Sequence, residues 1–370
     1  MKILYCITKA DTGGAQTHLI QLANYFAKKN DVYVIVGNNG PMLDKLSEKI
    51  KVIVLNDLVG PISLNHDILA IKKIAKLINS IKPDIIHYHS SKAGTVGRLA
   101  YKFSKVKSSF IIFTAHSWAF TEGIGLFKKL LYRNIEKIML NITDKVICVS
   151  KFDENLALKY NFNANKLVMI HNGVNSESNL MKTKNEKNNG EDRIIKFVML
   201  ARFSYPKMQS EVIQAVYLLK NITSKNFEVN FIGDGEFLVE NQALVDSLNL
   251  NDEIKFLGDV NNASNLLVNY DVFILMSKHE GLPISIIEAM ANRLPIIASN
   301  VGGVEELIED NGSLLKKNSA EELALIMLKY MNIDLIEKEG KRSRDKFLNE
   351  YTEIKMIKEL ECLYDNYSKK

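Results

Sequence analysis

The chain alternates short, continuously apolar runs with longer stretches whose apolar residues recur at helical spacing. In the first half the runs are Ile3–Ile7, Val32–Val36, Val52–Leu55, Asp84–Tyr88, Phe110–Thr114 and Val146–Val149. In the second half they are Ile194–Ala201, Phe227–Gly233, Ile254–Leu257, Asp271–Met276 and Pro295–Ala298. Runs without polar alternation are how strands buried on both faces read. Stretches such as Gln16–Lys28 and Ile68–Ile81 have the pattern of helices with one buried face. Strands and helices in alternation predict parallel sheets covered by helices on both sides.

The pattern stops at Asn175–Asp192, a polar and charged stretch whose only large apolar residues are Leu180 and Met181. That composition predicts a linker. The fold expected is therefore α/β, with two doubly wound domains over 1–170 and 171–350 facing a central cleft. The last stretch, 351–370, reads as a helix able to pack on either domain.

Composition narrows the class. The 370 residues are 46% hydrophobic and 25% charged, which excludes a disordered or fibrous chain and suits two domains. No run approaches the roughly 18–20 apolar residues needed to cross a bilayer, and Asp11 interrupts the start before a signal sequence forms. The expectation is a cytoplasmic chain with reduced thiols at Cys6, Cys148 and Cys362. The net charge of +5 conceals an asymmetry: residues 1–170 carry +12 and residues 171–370 carry −7. A basic first half calls for an anionic partner, whether nucleic acid, a phosphate-bearing ligand or an acidic membrane face.

Candidate phosphate chemistry lies at strand-to-helix turns. The first strand runs into Asp11-Thr12-Gly13-Gly14-Ala15-Gln16, where glycines let backbone N–H groups approach an anion at a helix N-terminus. Gly233-Asp234-Gly235 offers a similar turn in the second half. In Ser277–Met290, Glu280 and Glu288 stand eight apart, with Gly281 freeing the loop and Pro283 opening a helix. The first-turn N–H groups at Ile284 and Ser285 would face the strand ends, where ligands of open α/β sheets bind. Glu288 can then accept from ribose hydroxyls and Glu280 from a sugar. Arg202 and Lys207, just after a strand, can reach one diphosphate as a planar fork and a point charge.

Together these residues resemble the retaining glycosyltransferases of family 4, with the GT-B architecture of two Rossmann-like domains. The likeness runs through Gly13-Gly14, Ile170-His171-Asn172-Gly173-Val174, Arg202 with Lys207, and Glu280 with Glu288. It continues in Pro295-Ile296-Ile297-Ala298 and Val301-Gly302-Gly303-Val304-Glu305-Glu306-Leu307-Ile308. It implies that Gly13 and Gly14 hold a diphosphate, Gly14 through its N–H, and that Arg202 and Lys207 neutralise the leaving group. It also implies that Glu288 holds a ribose, and that Glu280, with Gly281, Leu282, Ile284 and Ser285, binds the donor sugar and its phosphate. His116, in Thr114-Ala115-His116-Ser117, matches a histidine facing the sugar, and Val260 a position in the base pocket. The catalytic set so implied is Glu280, His116, Arg202 and Lys207. Ala201, Met208 and Arg293 depart from glycines frequent in the family; Arg293 is strained if its position needs positive φ, unless Asn292 takes the turn.

The resemblance implies transfer from a nucleotide diphosphate sugar, a UDP-sugar by family expectation, with retention and without a metal or other cofactor. The chain contains no Asp-x-Asp. The segment Gly125–Leu140 can gather Leu126, Phe127, Leu130, Leu131, Ile135 and Ile138 on one side, with Lys128, Lys129, Arg133 and Lys137 flanking and Lys102, Lys105 and Lys107 nearby. A basic amphipathic helix of this kind can lie on an anionic membrane. It points to a polyprenyl-diphosphate-linked saccharide acceptor in capsule or O-antigen assembly, at the inner face of the membrane. An ordinary packed helix is the alternative. A sugar-nucleotide epimerase would share the fold, and a nucleic-acid-binding module would suit the charge, although no nucleic-acid motif is present.

Overall fold

Along the first strand, Leu4 and Cys6 enter one core while Ile3, Tyr5 and Ile7 enter a second, as a strand covered on both faces requires. The alternation repeats in Ile86 and Tyr88 against Ile85, and in Ile111 and Phe113 against Ile112. The computed structural model describes residues 1–121, 125–175 and 193–368. They divide into unit 1, Met1–Asn172 with Lys355–Lys370, and unit 2, Gly173–Ile354. Of the linker expected over 175–192, all but Asn175 lies outside the described residues.

The strands of unit 1 are β1 (Lys2–Cys6), β2 (Asp31–Val36), β3 (Lys51–Val54), β4 (Ile85–His89), β5 (Phe110–Ala115), β6 (Lys145–Cys148) and β7 (Leu167–Met169). All pair in parallel, in the order β3-β2-β1-β4-β5-β6-β7. Between them run α1 (Gly14–Phe26), α2 (Leu64–Ile81), α3 (Ser91–Phe103), α4 (Leu126–Met139) and α5 (Lys151–Lys159). The order reverses between β1 and β4, the switch point beyond which such sheets leave a crevice. Buried Arg98 of α3 fastens α4: its Nη2 donates to Glu136 Oε2 at 2.7 Å, its Nε to the Gly94 carbonyl and its Nη1 to Thr143. Those extra donations satisfy a guanidinium that burial would otherwise penalise.

Unit 2 has β8 (Ile195–Leu200), β9 (Phe227–Ile232), β10 (Ile254–Phe256), β11 (Val272–Leu275), β12 (Ile296–Ser299) and β13 (Gly312–Leu315). They form a second parallel sheet in the order β10-β9-β8-β11-β12-β13, with its switch point between β8 and β11. Its helices are α6 (Gln209–Ile222), α7 (Leu238–Ser247), α8 (Ile284–Ala291), α9 (Val304–Leu307), α10 (Ala320–Lys329) and α11 (Ile333–Glu350). The last helix, α12 (Glu353–Ser368), packs in unit 1 from Lys355 onward. There Met356, Ile357, Leu360 and Tyr364 share a core with Leu19, Leu22 and Phe26 of α1. Both units are thus Rossmann-like.

Arg293, not Asn292, takes the left-handed turn after α8, at φ 61°. Its N–H donates to the Met290 carbonyl at 3.0 Å and the Leu294 N–H to the Ala289 carbonyl at 3.1 Å. This is the hydrogen-bond pair with which a helix end favours glycine at that position. The paired bonds hold a non-glycine residue there, at the cost of left-handed strain.

Candidate active site

Two loops meet at the switch point of unit 2 because β8 and β11 are neighbours. The loop after β8 carries Arg202 and Lys207; the loop after β11 carries Ser277 and Glu280. Lys207 bridges Ser277 in antiparallel fashion, the Met208 N–H donates to the Met276 carbonyl at 3.1 Å, and the Lys278 N–H to the Pro206 carbonyl at 3.0 Å. So joined, the backbones bring the Lys207 ammonium onto the Glu280 carboxylate as an ion pair of low exposure. Arg202 stands exposed, its carbonyl held by Gln209 Nε2 at 2.9 Å. The Gly233-Asp234-Gly235 turn backs this loop: the Phe203 N–H donates to the Asp234 carbonyl at 2.9 Å, and a Cβ on Gly235 would come 2.4 Å from the Phe203 oxygen.

Helix α8 begins beyond Pro283, so the N–H groups of Ile284 and Ser285 fall outside its internal ladder. Gly281, Leu282 and Ile284 are buried, while Ser285 and Glu288, one turn apart, are the α8 residues that keep some exposure. The turn between β12 and α9 fixes the approach to this helix. There the Gly303 N–H donates to the Gly281 carbonyl at 2.9 Å, and Gly302, at φ 59°, lies so close that a Cβ would sit 1.8 Å from the Glu280 oxygen. Half-buried His279 is lowered in pKa chiefly by burial, with Lys207 adding to the effect and Glu280 opposing it. Val260, half-buried, follows β10 on a loop joined to that after β9 by the Gly233 N–H donating to the Gly258 carbonyl at 2.8 Å.

In unit 1, Gly13 precedes α1 with extended backbone at φ 168°, which any residue adopts. A Cβ there would meet the flexible end of Gln16 rather than backbone. The fold itself does not demand glycine at 13, and the N–H groups of Gly14 and Ala15 open the helix. At the ends of β1 and β4, Thr8 and Ser90 share a hydrogen bond of 2.7 Å between their hydroxyls.

His116 follows β5 and belongs to a group of four imidazoles. Nδ1 of His89, the last residue of β4, lies 3.1 Å from His116 Nε2, and either ring can be the donor. The His18 ring of α1 meets His116 edge-on at 5.0 Å, and the His87 ring lies 4.2 Å from that of His89. His87 Nδ1 hydrogen-bonds Tyr364 Oη at 2.7 Å and its Nε2 hydrogen-bonds Thr114 Oγ1 at 2.6 Å. Burial drives all four imidazoles below their ordinary pKa, and neighbouring histidines lower His87, His89 and His116 further. His18 falls to about 4, with neighbouring Asn172 partly offsetting the effect of burial. Among the described residues no three or more His, Cys, Asp or Glu side chains are grouped to hold a metal ion.

Gly302, Gly303, His18, His87 and His89 contribute to these loops and rings without having been candidates in the sequence. Gly302 and Gly303 lie in the Val301–Ile308 stretch that carries the resemblance, and a physical signal existed for two of the histidines. His87 and His89 stand at i and i+2 in an apolar strand, and therefore share the face that Thr114 and His116 share on the next strand.

Helix α4 turns Glu136 and Met139 inward. Leu126 and Phe127 are 74% and 80% exposed and Ile138 is 60% exposed; Leu130 and Leu131 are exposed as well, while Ile135 is half-buried. No helix among the described residues is long and apolar enough to cross a membrane.

Known proteins with this pattern are consistent in kind. A family model for Glycosyltransferase Family 4 matches residues 12–178, and one for Glycosyl transferases group 1 matches residues 181–346. The chain is 27% identical over 346 residues to the Escherichia coli UDP-Gal:alpha-D-GlcNAc-diphosphoundecaprenol alpha-1,3-galactosyltransferase, covering 90% of this chain and 88% of that one. It is 28% identical over 322 residues to the E. coli O-antigen biosynthesis glycosyltransferase WbnH, covering 86% and 87%. The solved structure of Anabaena Alr3699/HepE in complex with UDP-glucose superposes with a TM-score of 0.83 at 20% identity, over 99% of this chain and all of the other.

Proposed function

This chain belongs to the glycosyltransferases of family 4 and group 1, and on that premise we propose that it moves a sugar from a UDP-sugar to a lipid-linked saccharide, with retention, during surface polysaccharide synthesis. The E. coli relatives support the donor, the lipid diphosphate and the O-antigen setting by what their names state. The observation that carries the reading is the convergence of Lys207 and Glu280 beside exposed Arg202, at a strand-end switch point. Arg202, Lys207 and the α8 amides would stabilise charge developing on the departing diphosphate, a task that calls for fixed cations and dipoles. This neutralisation is proposed to need no metal cofactor. Glu280 would orient Lys207 and bind the sugar, and Glu288 the ribose, with Val260 beside the base. Gly13 and Gly14 would admit the diphosphate to the α1 amides, and His116 would contact the sugar.

In the proposed step the anomeric carbon–oxygen bond to phosphate breaks and a bond to the acceptor oxygen forms on the same face. The acceptor proton passes to the departing phosphate oxygen. The exposed apolar residues of α4, with Lys128 and Lys129, would rest the enzyme on the anionic inner face of the membrane, where a polyprenyl-linked acceptor resides.

The test is a panel of nucleotide sugars with a lipid-linked acceptor, products identified by mass spectrometry and their anomeric configuration by NMR. Arg202→Ala and Glu280→Ala are each expected to lower kcat by about 10²–10³, the range for losing a fixed transition-state contact. Their thermal transitions should stay near that of the parent. An inverted product defeats the retaining step, and an Arg202→Ala variant of full activity defeats the site.

A further inference from the structure

The contact between His89 and His116 has a direction. Burial and mutual repulsion keep both rings neutral, so their 3.1 Å hydrogen bond holds one proton. In one arrangement His89 Nδ1–H donates to His116 Nε2, and His116 carries its proton on Nδ1. In the other, His116 Nε2–H donates to His89 Nδ1, and the proton of His89 moves to its own Nε2. That Nε2 is buried and without a hydrogen-bond partner, and His89 has no exposed surface. A buried N–H lacking an acceptor is rarer in folded proteins than an unused lone pair. The first arrangement leaves only a lone pair at that place.

The surroundings reinforce this choice. His87, whose tilted ring lies 4.2 Å from that of His89, has both nitrogens engaged, by Tyr364 and Thr114, so it offers His89 Nε2 no acceptor. Tyr5 from β1 and His18 from α1 complete the enclosure through ring contacts. With Nε2 of His116 taken inside, Nδ1 is the ring nitrogen left for a ligand, and His116 retains part of its exposure.

We propose that His89 is a positioning residue that locks His116 in the Nδ1–H tautomer, so that His116 meets the donor sugar as a neutral hydrogen-bond donor and not as a base. The inference rests on the reading above that His116 contacts the sugar. It adds that the acceptor proton does not go to His116. A hydrogen-bond donor there suits a sugar hydroxyl or an oxygen gaining negative charge.

Chain labelled with ¹⁵N at its seven histidines reports each tautomer through two-bond proton–nitrogen correlations, and His116→Ala assigns the signal. At pH 7.5 the unaltered protein should show His116 with a protonated Nδ1 and a bare Nε2. An Nε2–H pattern, or an imidazolium, overturns the proposal without recourse to any variant. His89→Asn keeps an N–H near the place of Nδ1 and should retain the tautomer and most of kcat. His89→Leu should release the tautomer and lower kcat roughly tenfold, the scale of one lost hydrogen bond, with the donor KM changed far less. If His116→Ala is fully active, the contact with the sugar is refuted and the inference falls with it. If His116→Ala is inactive but His89→Leu keeps wild-type kcat and tautomer, the inference alone is refuted.

Discussion

Gly302 shows how much of a site can depend on a residue that bears no chemistry. Its φ of 59° is open to few side chains, and a Cβ would strike the backbone oxygen of Glu280, which has no freedom to swing aside. Gly302→Ala therefore has two costs: about 1–2 kcal/mol for the left-handed backbone, and displacement of the Glu280–Gly281 loop. Displacement matters more for activity, because misplacing a catalytic group by about 1 Å can cost a hundredfold in rate. The expected outcome is a fall in kcat of at least tenfold, with unit 2 still folded by circular dichroism. Wild-type kcat in this variant would show that the turn leaves Glu280 undisturbed. Arg293 makes the contrasting case. It occupies a left-handed position with an ordinary, exposed side chain because two end-of-helix hydrogen bonds hold it.

At the scale of elements, the exposure of α4 runs against its composition. A helix of a soluble domain buries its apolar stripe, yet here the inward positions are Glu136 and Met139 while Leu126 and Phe127 face outward. Burying two such side chains in a lipid interface gains roughly 1.5–3 kcal/mol each, and each nearby lysine adds about 1 kcal/mol on an anionic surface. In flotation with anionic vesicles, a Leu126→Ser, Phe127→Ser double variant should lose at least tenfold in partitioning. Lys128→Glu with Lys129→Glu should erase the preference for anionic over neutral lipid. Absence of wild-type binding to either vesicle would remove the membrane from the proposal. The amphipathic character of this helix was legible from spacing, but which face turns inward was not, because buried Arg98 claims Glu136 from another helix. Similar limits explain the strands. β1, β4, β8 and β11 read clearly because both their faces are buried. β7 and β13, three and four residues at sheet edges and partly exposed, carry too little apolar sequence to stand out. Glu280 and Lys207 were recognisable as site candidates in the sequence, whereas their pairing depends on β8 lying beside β11, a property of topology rather than of either segment.

For the molecule as a whole, the consequential feature is that unit 1 gathers residues from both ends of the chain around buried imidazoles. Tyr364 of α12 hydrogen-bonds His87 of β4, its hydroxyl 3.3 Å from that of Tyr5 of β1, so the last helix closes on a ring cluster that His87 continues through His89 to His18 and His116. The groups facing these rings are one another, Tyr5, Tyr364, Thr114 and Asn172; the tyrosines are raised in pKa by burial and stay neutral in acid. All four histidines have folded-state pKa values below the usual 6.5, so the unfolded chain binds more protons as the solution is acidified. Their contribution is complete above about pH 6.5 and is lost as pH falls below it, for His18 down to about 4. His18 alone accounts for about 3 kcal/mol over that interval, at 1.36 kcal/mol per pKa unit. The chain's single tryptophan, Trp118, is buried in unit 1 with its indole N–H donating to the Asp153 carbonyl at 2.8 Å, so its fluorescence follows unit 1 alone. Between pH 7 and pH 5 the Trp118 thermal transition should fall by several degrees, and a His18→Phe, His87→Phe double variant should flatten that dependence even where it lowers stability overall. A Trp118 transition that stays level from pH 7 to pH 5 would mean that these rings admit protons without unfolding, and are less enclosed than their burial implies.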